Sequence, residues 1–136
     1  LLRSMLPGEL VTLVVAVLDH ATGSIRLCGA GHLPPLVIDA HGATHASMPV
    51  NRLLGAFEGG YEAADLELAS GQMVLLYSDG LVEKPGRDID EGLGMLRRES
   101  QLLAEASIGG WAERLADLMA GLEPHDDVTA LAVRRD

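Results

Sequence analysis

The first part of the chain alternates apolar stretches with turn-forming residues, as β-structure does. Residues 9–18 are rich in Val and Leu, which predicts a buried strand. Residues 19–23, Asp-His-Ala-Thr-Gly, are typical of a tight hairpin loop in which Gly23 can take a positive φ. Residues 24–30 alternate apolar and polar side chains and predict the returning strand. The chain therefore begins with a predicted antiparallel hairpin.

Further strands are predicted along the middle of the chain and at its end. Residues 36–39 form a short apolar run, and residues 48–60 contain one Pro and three Gly, which predicts a loop. Residues 61–68 alternate weakly, and residues 72–78 hold the most apolar strand candidate. Residues 128–133 predict a last strand that returns to the sheet.

Helical periodicity appears only in the later part of the sequence. One amphipathic helix is marked by Leu93, Leu96, Leu102 and Leu103. A second is marked by Trp111, Leu115, Leu118 and Met119 and is closed by Gly121 at the C′ position. Strands come first, then helices, then one closing strand. This order predicts an α+β domain with packed antiparallel sheets, and it disfavours a doubly wound parallel sheet, in which strands and helices alternate.

Composition narrows the function classes. Of the 136 residues, 48% are hydrophobic and 3% aromatic, and the formal net charge is -10. A core is expected, but not an aromatic stacking surface or a basic face for nucleic acid. The single Cys28 fits a reducing cytoplasm, and no apolar run is long enough for a membrane span. An acidic surface suits a site that collects divalent cations.

The first candidate for chemistry is Asp79-Gly80, directly after the most apolar strand. A carboxylate at a strand end is held rigidly, and Gly80 allows backbone, metal or substrate to approach closely. Asp-Gly between apolar runs is also a strong hairpin signal, and the motif alone favours that interpretation. On its own, therefore, this motif does not establish a site.

The second candidate is Asp126-Asp127, which precedes the last strand. Two adjacent carboxylates repel each other, and a bound cation would relieve the repulsion. A solvated acidic turn is an equally good interpretation of this motif alone. The pairing of the two motifs favours a site, because antiparallel neighbours can bring Asp79 and Asp126 together. Oxygen ligands select Mg²⁺ or Mn²⁺.

The third candidate is His32, at a sharp exit from the second strand. It could touch the site, but the residues favour a structural role in which the ring caps the turn through hydrogen bonds. The chain has neither a phosphate-binding Gly-rich loop followed by Lys nor a Gly-x-Ser-x-Gly nucleophile motif. A haloacid-dehalogenase-type phosphatase is disfavoured, because its nucleophilic Asp follows an apolar strand and begins an Asp-x-Asp pattern. Asp79 is instead followed by Gly80-Leu81, and Asp126-Asp127 precede their strand.

Read together and in order, several segments resemble the metal-dependent protein phosphatase (PPM, type 2C) family, in its bacterial SpoIIE/RsbU-like branch. The resemblance covers almost the whole chain, and the segments that carry it are Val11-Thr12-Leu13, Leu18-Asp19 with Gly23, Gly29 to Pro35, Leu53-Leu54-Gly55, Leu75 to Glu83 and Asp126 to Thr129. It implies a β-sandwich flanked by helices, with a two-metal centre at one edge. Residues 1–136 would form the C-terminal portion of one such domain.

The resemblance also implies roles for particular residues. Asp79 and Asp126 correspond to metal ligands for Mn²⁺ or Mg²⁺, while Gly80, Asp127 and His32 correspond to supporting positions. The family's first acidic motif, an Asp followed by Gly that bridges the two metals, would lie upstream of this sequence. The chain alone is therefore expected to bind metal weakly. It is also expected to expose apolar surface where the upstream strands would pack, through which it could form a homodimer.

The implied function is hydrolysis of phosphoserine or phosphothreonine on a protein. In this branch the usual substrate is a phosphorylated anti-anti-sigma factor in a bacterial stress-response pathway of the cytoplasm. The alternative is a non-catalytic binding or sensing module that keeps the phosphatase fold. The two hypotheses differ in whether the upstream Asp-Gly motif exists in the parent protein.

Overall fold

The fold is given by a computed structural model that describes residues 10–56, 59–104, 110–122 and 127–136. It divides into two compact units, one built from Leu1–Pro34 and Ser47–Leu68 and the other from Pro35–Ala46 and Ala69–Asp136. Within the described residues, the first unit contains one antiparallel sheet, and the second contains another antiparallel sheet and two helices. The α+β class predicted from the order of elements, with antiparallel sheets and accompanying helices, is confirmed.

The sheet of the first unit has the order β1-β2-β5. Its strands are β1 (Leu13–Asp19), β2 (Ser24–Ala30) and β5 (Ala64–Glu67). The hairpin between β1 and β2 turns where it was predicted, and Gly23 has a φ of 78°. Asp19 closes this turn, because its Oδ1 accepts the N–H of Ala21 at 2.9 Å. The hydrogen bonds that the Asp19 carboxylate accepts from backbone N–H groups of the turn lower its pKa below the ordinary value.

The prediction that the first strand is buried was wrong. No residue of β1 is buried, and Leu13, Val15 and Val17 are 44%, 45% and 63% exposed. The physical reason is its position, because β1 is an outer strand of this sheet and pairs with β2 alone among the described strands. β1 therefore exposes apolar side chains, while the packing of upstream strands against such a surface and the homodimer remain predictions.

The sheet of the second unit has the order β4-β3-β6-β7. Its strands are β3 (Leu36–Asp39), β4 (Gly42–His45), β6 (Met73–Tyr77) and β7 (Ala130–Arg134). The central strand β6 pairs antiparallel with both β3 and β7, and four of its five residues are buried. The most apolar strand candidate of the sequence therefore lies at the centre of this sheet, as near-continuous apolar strands do.

The second unit also holds helices α1 (Ile89–Ala104) and α2 (Trp111–Gly121). Helix α1 packs against β3, β4 and α2, and it buries Leu96 and Leu103. Helix α2 ends two residues later than predicted, because Gly121, expected at C′, is still helical and Leu122 is the C-cap residue. Neither described helix is long and apolar enough to cross a membrane.

Candidate metal site

Asp79 lies at the end of β6, where the extended backbone of Ser78 (φ -80°, ψ 159°) leads into a 3₁₀ turn at Asp79–Leu81. The carbonyl oxygen of Asp79 accepts the N–H groups of Val82 and Glu83, both at 2.8 Å. The hairpin interpretation of Asp-Gly was wrong, because β6 is followed by this turn and then by α1. The residues that follow, Leu81 and Val82, are buried, and the chain does not return along the sheet as it would in a hairpin.

The Asp79 side chain is exposed, although the residues around it are largely buried. One of its oxygens, Oδ1, accepts the N–H of Gly80 at 2.9 Å. Gly80 is itself buried and has no side chain that could cover the carboxylate. The Asp79 carboxylate at the end of β6 is therefore oriented by this hydrogen bond and exposed to solvent.

Ser78 joins the Asp79 turn to the segment that begins β7. Its N–H donates to the carbonyl oxygen of Thr129 at 2.9 Å, and its Oγ accepts the N–H of Thr129 at 2.9 Å. The same hydroxyl donates to the carbonyl oxygen of Asp127 at 3.4 Å. These bonds continue the β6–β7 ladder, in which Tyr77 lies opposite Ala130. The Asp79 turn is thus adjacent to residues 127–129, as the predicted pairing of strand ends requires.

Asp126 falls outside the described residues, and it directly precedes Asp127 in the sequence. Asp127 is exposed. The two motifs supply carboxylate and backbone oxygens, which suit Mg²⁺ or Mn²⁺ better than zinc. Among the residues described, no group of three or more His, Cys, Asp or Glu side chains could hold a metal ion together. The chemistry of Asp79 and its neighbours fits part of a divalent-cation site.

His32 lies in the first unit, just after β2, whereas Asp79 lies in the second. Its Nδ1 is 2.9 Å from the carbonyl oxygen of Leu33, to which a protonated Nδ1 donates. The preceding Gly31 has a φ of 63°, and a Cβ there would lie 2.6 Å from Cδ2 of Leu53. The ring thus caps a tight turn, which agrees with the structural role favoured by the sequence. A supporting role at the metal site stays a prediction.

Two residues that connect the motifs were not singled out from the sequence. Ser78 and Thr129 make the hydrogen bonds described above, and each stands beside an acidic motif. The sequence signal that could have found them is a hydroxyl residue within two positions of an Asp, inside the segments that carry the family resemblance. Such residues are common in turns, so this signal is weak without the register between β6 and β7.

The whole sequence, residues 1–136, matches the family model described as Stage II sporulation protein E (SpoIIE). Among solved structures, the RsbU and RsbW domains of Rv1364c from Mycobacterium tuberculosis are 29% identical to this chain, with a TM-score of 0.81. That match covers 98% of this chain and 38% of the other.

Two further solved structures share the fold at lower identity. The SiaA-PP2C domain of Pseudomonas aeruginosa is 22% identical with a TM-score of 0.77, and the match covers 99% of this chain and 56% of that one. The phosphatase domain of the cell fate determinant SpoIIE from Bacillus subtilis, presoaked with Mn, is 19% identical with a TM-score of 0.66, covering 92% and 56%. This chain therefore spans less than two thirds of each of these relatives.

Proposed function

Since the chain belongs to the SpoIIE family, in the bacterial SpoIIE/RsbU-like branch of the PPM phosphatases, we propose that it forms the C-terminal portion of a metal-dependent protein serine/threonine phosphatase domain. The observation that best supports this proposal is the junction at Ser78. Its hydrogen bonds to Asp127 and Thr129 hold the Asp-Gly turn beside residues 127–129, which directly follow Asp126 in the sequence. Neither motif alone would distinguish a site from a turn.

In this proposal the carboxylates of Asp79 and Asp126 hold Mn²⁺ or Mg²⁺, and an acidic residue upstream of this sequence completes the centre. Bound there, the cations would lower the pKa of a water molecule and neutralise phosphoryl oxygens. The chain itself fixes Asp79 at the end of a buried strand and orients its carboxylate with the N–H of Gly80. Asp127 supports the segment through the bond between its carbonyl oxygen and Ser78.

The reaction is hydrolysis of a phosphoserine or phosphothreonine ester. The oxygen of water forms a bond to phosphorus as the bond between phosphorus and the side-chain oxygen breaks, and that oxygen takes up a proton. No protein nucleophile is required, which agrees with a sequence that has one cysteine and no Gly-x-Ser-x-Gly motif.

The substrate we propose is a phosphorylated anti-anti-sigma factor in a cytoplasmic stress-response pathway. Support for this comes from the branch of the family to which the chain belongs. Purified anti-anti-sigma factor from the same genome, phosphorylated on serine, is the direct substrate to use in the assay below.

The experiment is Mn²⁺-dependent phosphate release by the whole protein that contains this chain. We expect Asp79→Ala to lower the rate by more than the roughly 10–100-fold that loss of an outer-shell partner costs, because a direct ligand is removed. Asp117→Asn is the matched control, since Asp117 is an exposed acidic residue on α2, and it should leave the rate unchanged. Equal rates for the wild type and Asp79→Ala would refute the assignment. A wild-type protein that releases no phosphate would favour the non-catalytic module.

A further inference from the structure

The first turns of α1 lie directly against the end of the turn that carries Asp79. Gly92 is buried in α1, and a Cβ built on it would collide with the carbonyl oxygen of Val82. That Cβ would also lie 3.0 Å from the carbonyl carbon and 3.3 Å from the Cα of Val82. All three atoms are backbone atoms, so no side-chain rotation can relieve the contact. The helix and the turn are therefore so close at Gly92 that any other residue there would force one of them to move.

Val82 connects this contact with Asp79 through a backbone hydrogen bond. Its side chain is fully buried, and its N–H donates to the carbonyl oxygen of Asp79 at 2.8 Å. The carbonyl oxygen of Val82 is the atom that a Cβ at Gly92 of α1 would meet. A shift of Val82 would therefore change the turn that presents the Asp79 carboxylate.

Arg87, in the loop between the turn and α1, also contacts the carbonyl group of Val82. Its Nη2 donates to the carbonyl oxygen of Val82 at 3.0 Å, and its Nη1 lies 3.3 Å from Sδ of Met95 on α1. The half-buried guanidinium thus joins the Asp79 turn to the helix. Because it is charged, its hydrogen bond to the carbonyl oxygen is stronger than a neutral one.

We infer that Gly92 and Arg87 are positioning residues, through which α1 sets the place of the Asp79 carboxylate. This inference rests on the proposed function, because it concerns a metal ligand of that site. Metal ligands must be held within about 0.5 Å of their working geometry. Relief of a Cβ collision at Gly92 requires helix and turn to separate by about 1 Å in a close-packed interior, which exceeds that tolerance.

The test compares two alanine substitutions in one helix. Gly92→Ala introduces the collision, whereas a Cβ on Gly94 meets only Nη1 of Arg98, at 3.7 Å. In the whole protein we expect Gly92→Ala to weaken Mn²⁺ binding, measured by calorimetry without substrate, by about tenfold. The Mn²⁺ concentration for half-maximal phosphate release should rise equally, while KM for the phosphoprotein stays unchanged. Gly94→Ala should bind Mn²⁺ as the wild type does.

A second pair of variants tests the inference if Gly92→Ala fails to fold. Arg87→Ala removes the donor to Val82 and should weaken Mn²⁺ binding, and Arg87→Lys, which keeps a charged donor, should restore most of it. Equal Mn²⁺ affinity of Gly92→Ala and Gly94→Ala would overturn the inference. So would an Arg87→Lys variant that binds Mn²⁺ no better than Arg87→Ala.

The two proposals fail in different ways. A wild-type protein that binds Mn²⁺ without releasing phosphate contradicts the proposed function, yet the affinities of the Gly92 and Gly94 variants still decide the positioning role. A wild-type protein that releases phosphate, with unaltered Mn²⁺ affinity in Gly92→Ala, contradicts the positioning role alone. A wild-type protein that binds no Mn²⁺ contradicts both.

Discussion

Ser78 connects the Asp79 turn to residues 127–129, the described residues that precede β7. Its hydroxyl both accepts from the N–H of Thr129 and donates to the carbonyl oxygen of Asp127. A side chain that satisfies two backbone groups on a neighbouring segment limits the movement of that segment. The backbone of Asp127 therefore depends on Ser78 for its place next to the Asp79 turn.

Replacement of this hydroxyl tests its role. We expect Ser78→Ala to lower the free energy of unfolding by about 1 kcal/mol, since it removes a hydrogen-bonding side chain. Mn²⁺ binding to the whole protein should weaken by roughly tenfold, as is usual for the loss of an outer-shell partner. Urea unfolding and calorimetry measure the two effects. Ser70→Ala, in the exposed turn before β6, is the control and should change neither, whereas wild-type Mn²⁺ affinity in Ser78→Ala would contradict the role of Ser78.

At the scale of elements, the packing of α1 on β4 encloses an ionisable side chain. His45 lies at the end of β4, and its Nε2 is buried with no hydrogen-bond partner among the described residues. Burial lowers the pKa of His45 below its ordinary value of 6.5, and the charge of Arg97 on α1 lowers it further. The contact between helix and strand is therefore made with a neutral imidazole at neutral pH.

This arrangement predicts a pH dependence of stability. The unfolded chain takes up a proton at His45 before the folded chain does, so stability is full above about pH 6.5 and falls as the pH decreases through that value. The free energy of urea unfolding should therefore decrease from pH 7.5 to pH 5.5, and less so in His45→Gln, which cannot be protonated. An equal decrease in both proteins would show that other groups cause it.

At the scale of the whole molecule, the sequence predicted element types better than their environments. The strands around Gly23 and the apolar β6 follow from local pattern, and the structure confirms them. The exposure of β1 could not be predicted, because a Val-rich run looks the same in a central strand and in an outer one. The Asp79 turn was missed for a related reason, since Asp-Gly has the same local preference whether the next element is a strand or a helix.

The candidate site was predictable in part. The position of Asp79 at the end of an apolar strand and the nearness of that strand end to Asp127 were predicted from the sequence, and the structure shows both. The role of Asp79 as a metal ligand stays a prediction. Ser78, Gly92 and Arg87 were not found, because their roles arise from contacts across elements: a hydrogen bond between strand ends, a backbone contact and a guanidinium in a loop. Such contacts depend on register and packing distance, which a single sequence does not encode locally.

The central claim, that Asp79 and Asp126 hold divalent cations, is tested most directly by anomalous diffraction. Crystals of the whole protein soaked in MnCl₂ would be measured at the manganese absorption edge. We predict an anomalous peak within about 2.5 Å of carboxylate oxygens of Asp79 and Asp126, and its loss in crystals of Asp79→Ala. Manganese bound elsewhere, or a peak that persists unchanged in Asp79→Ala, would contradict the claim.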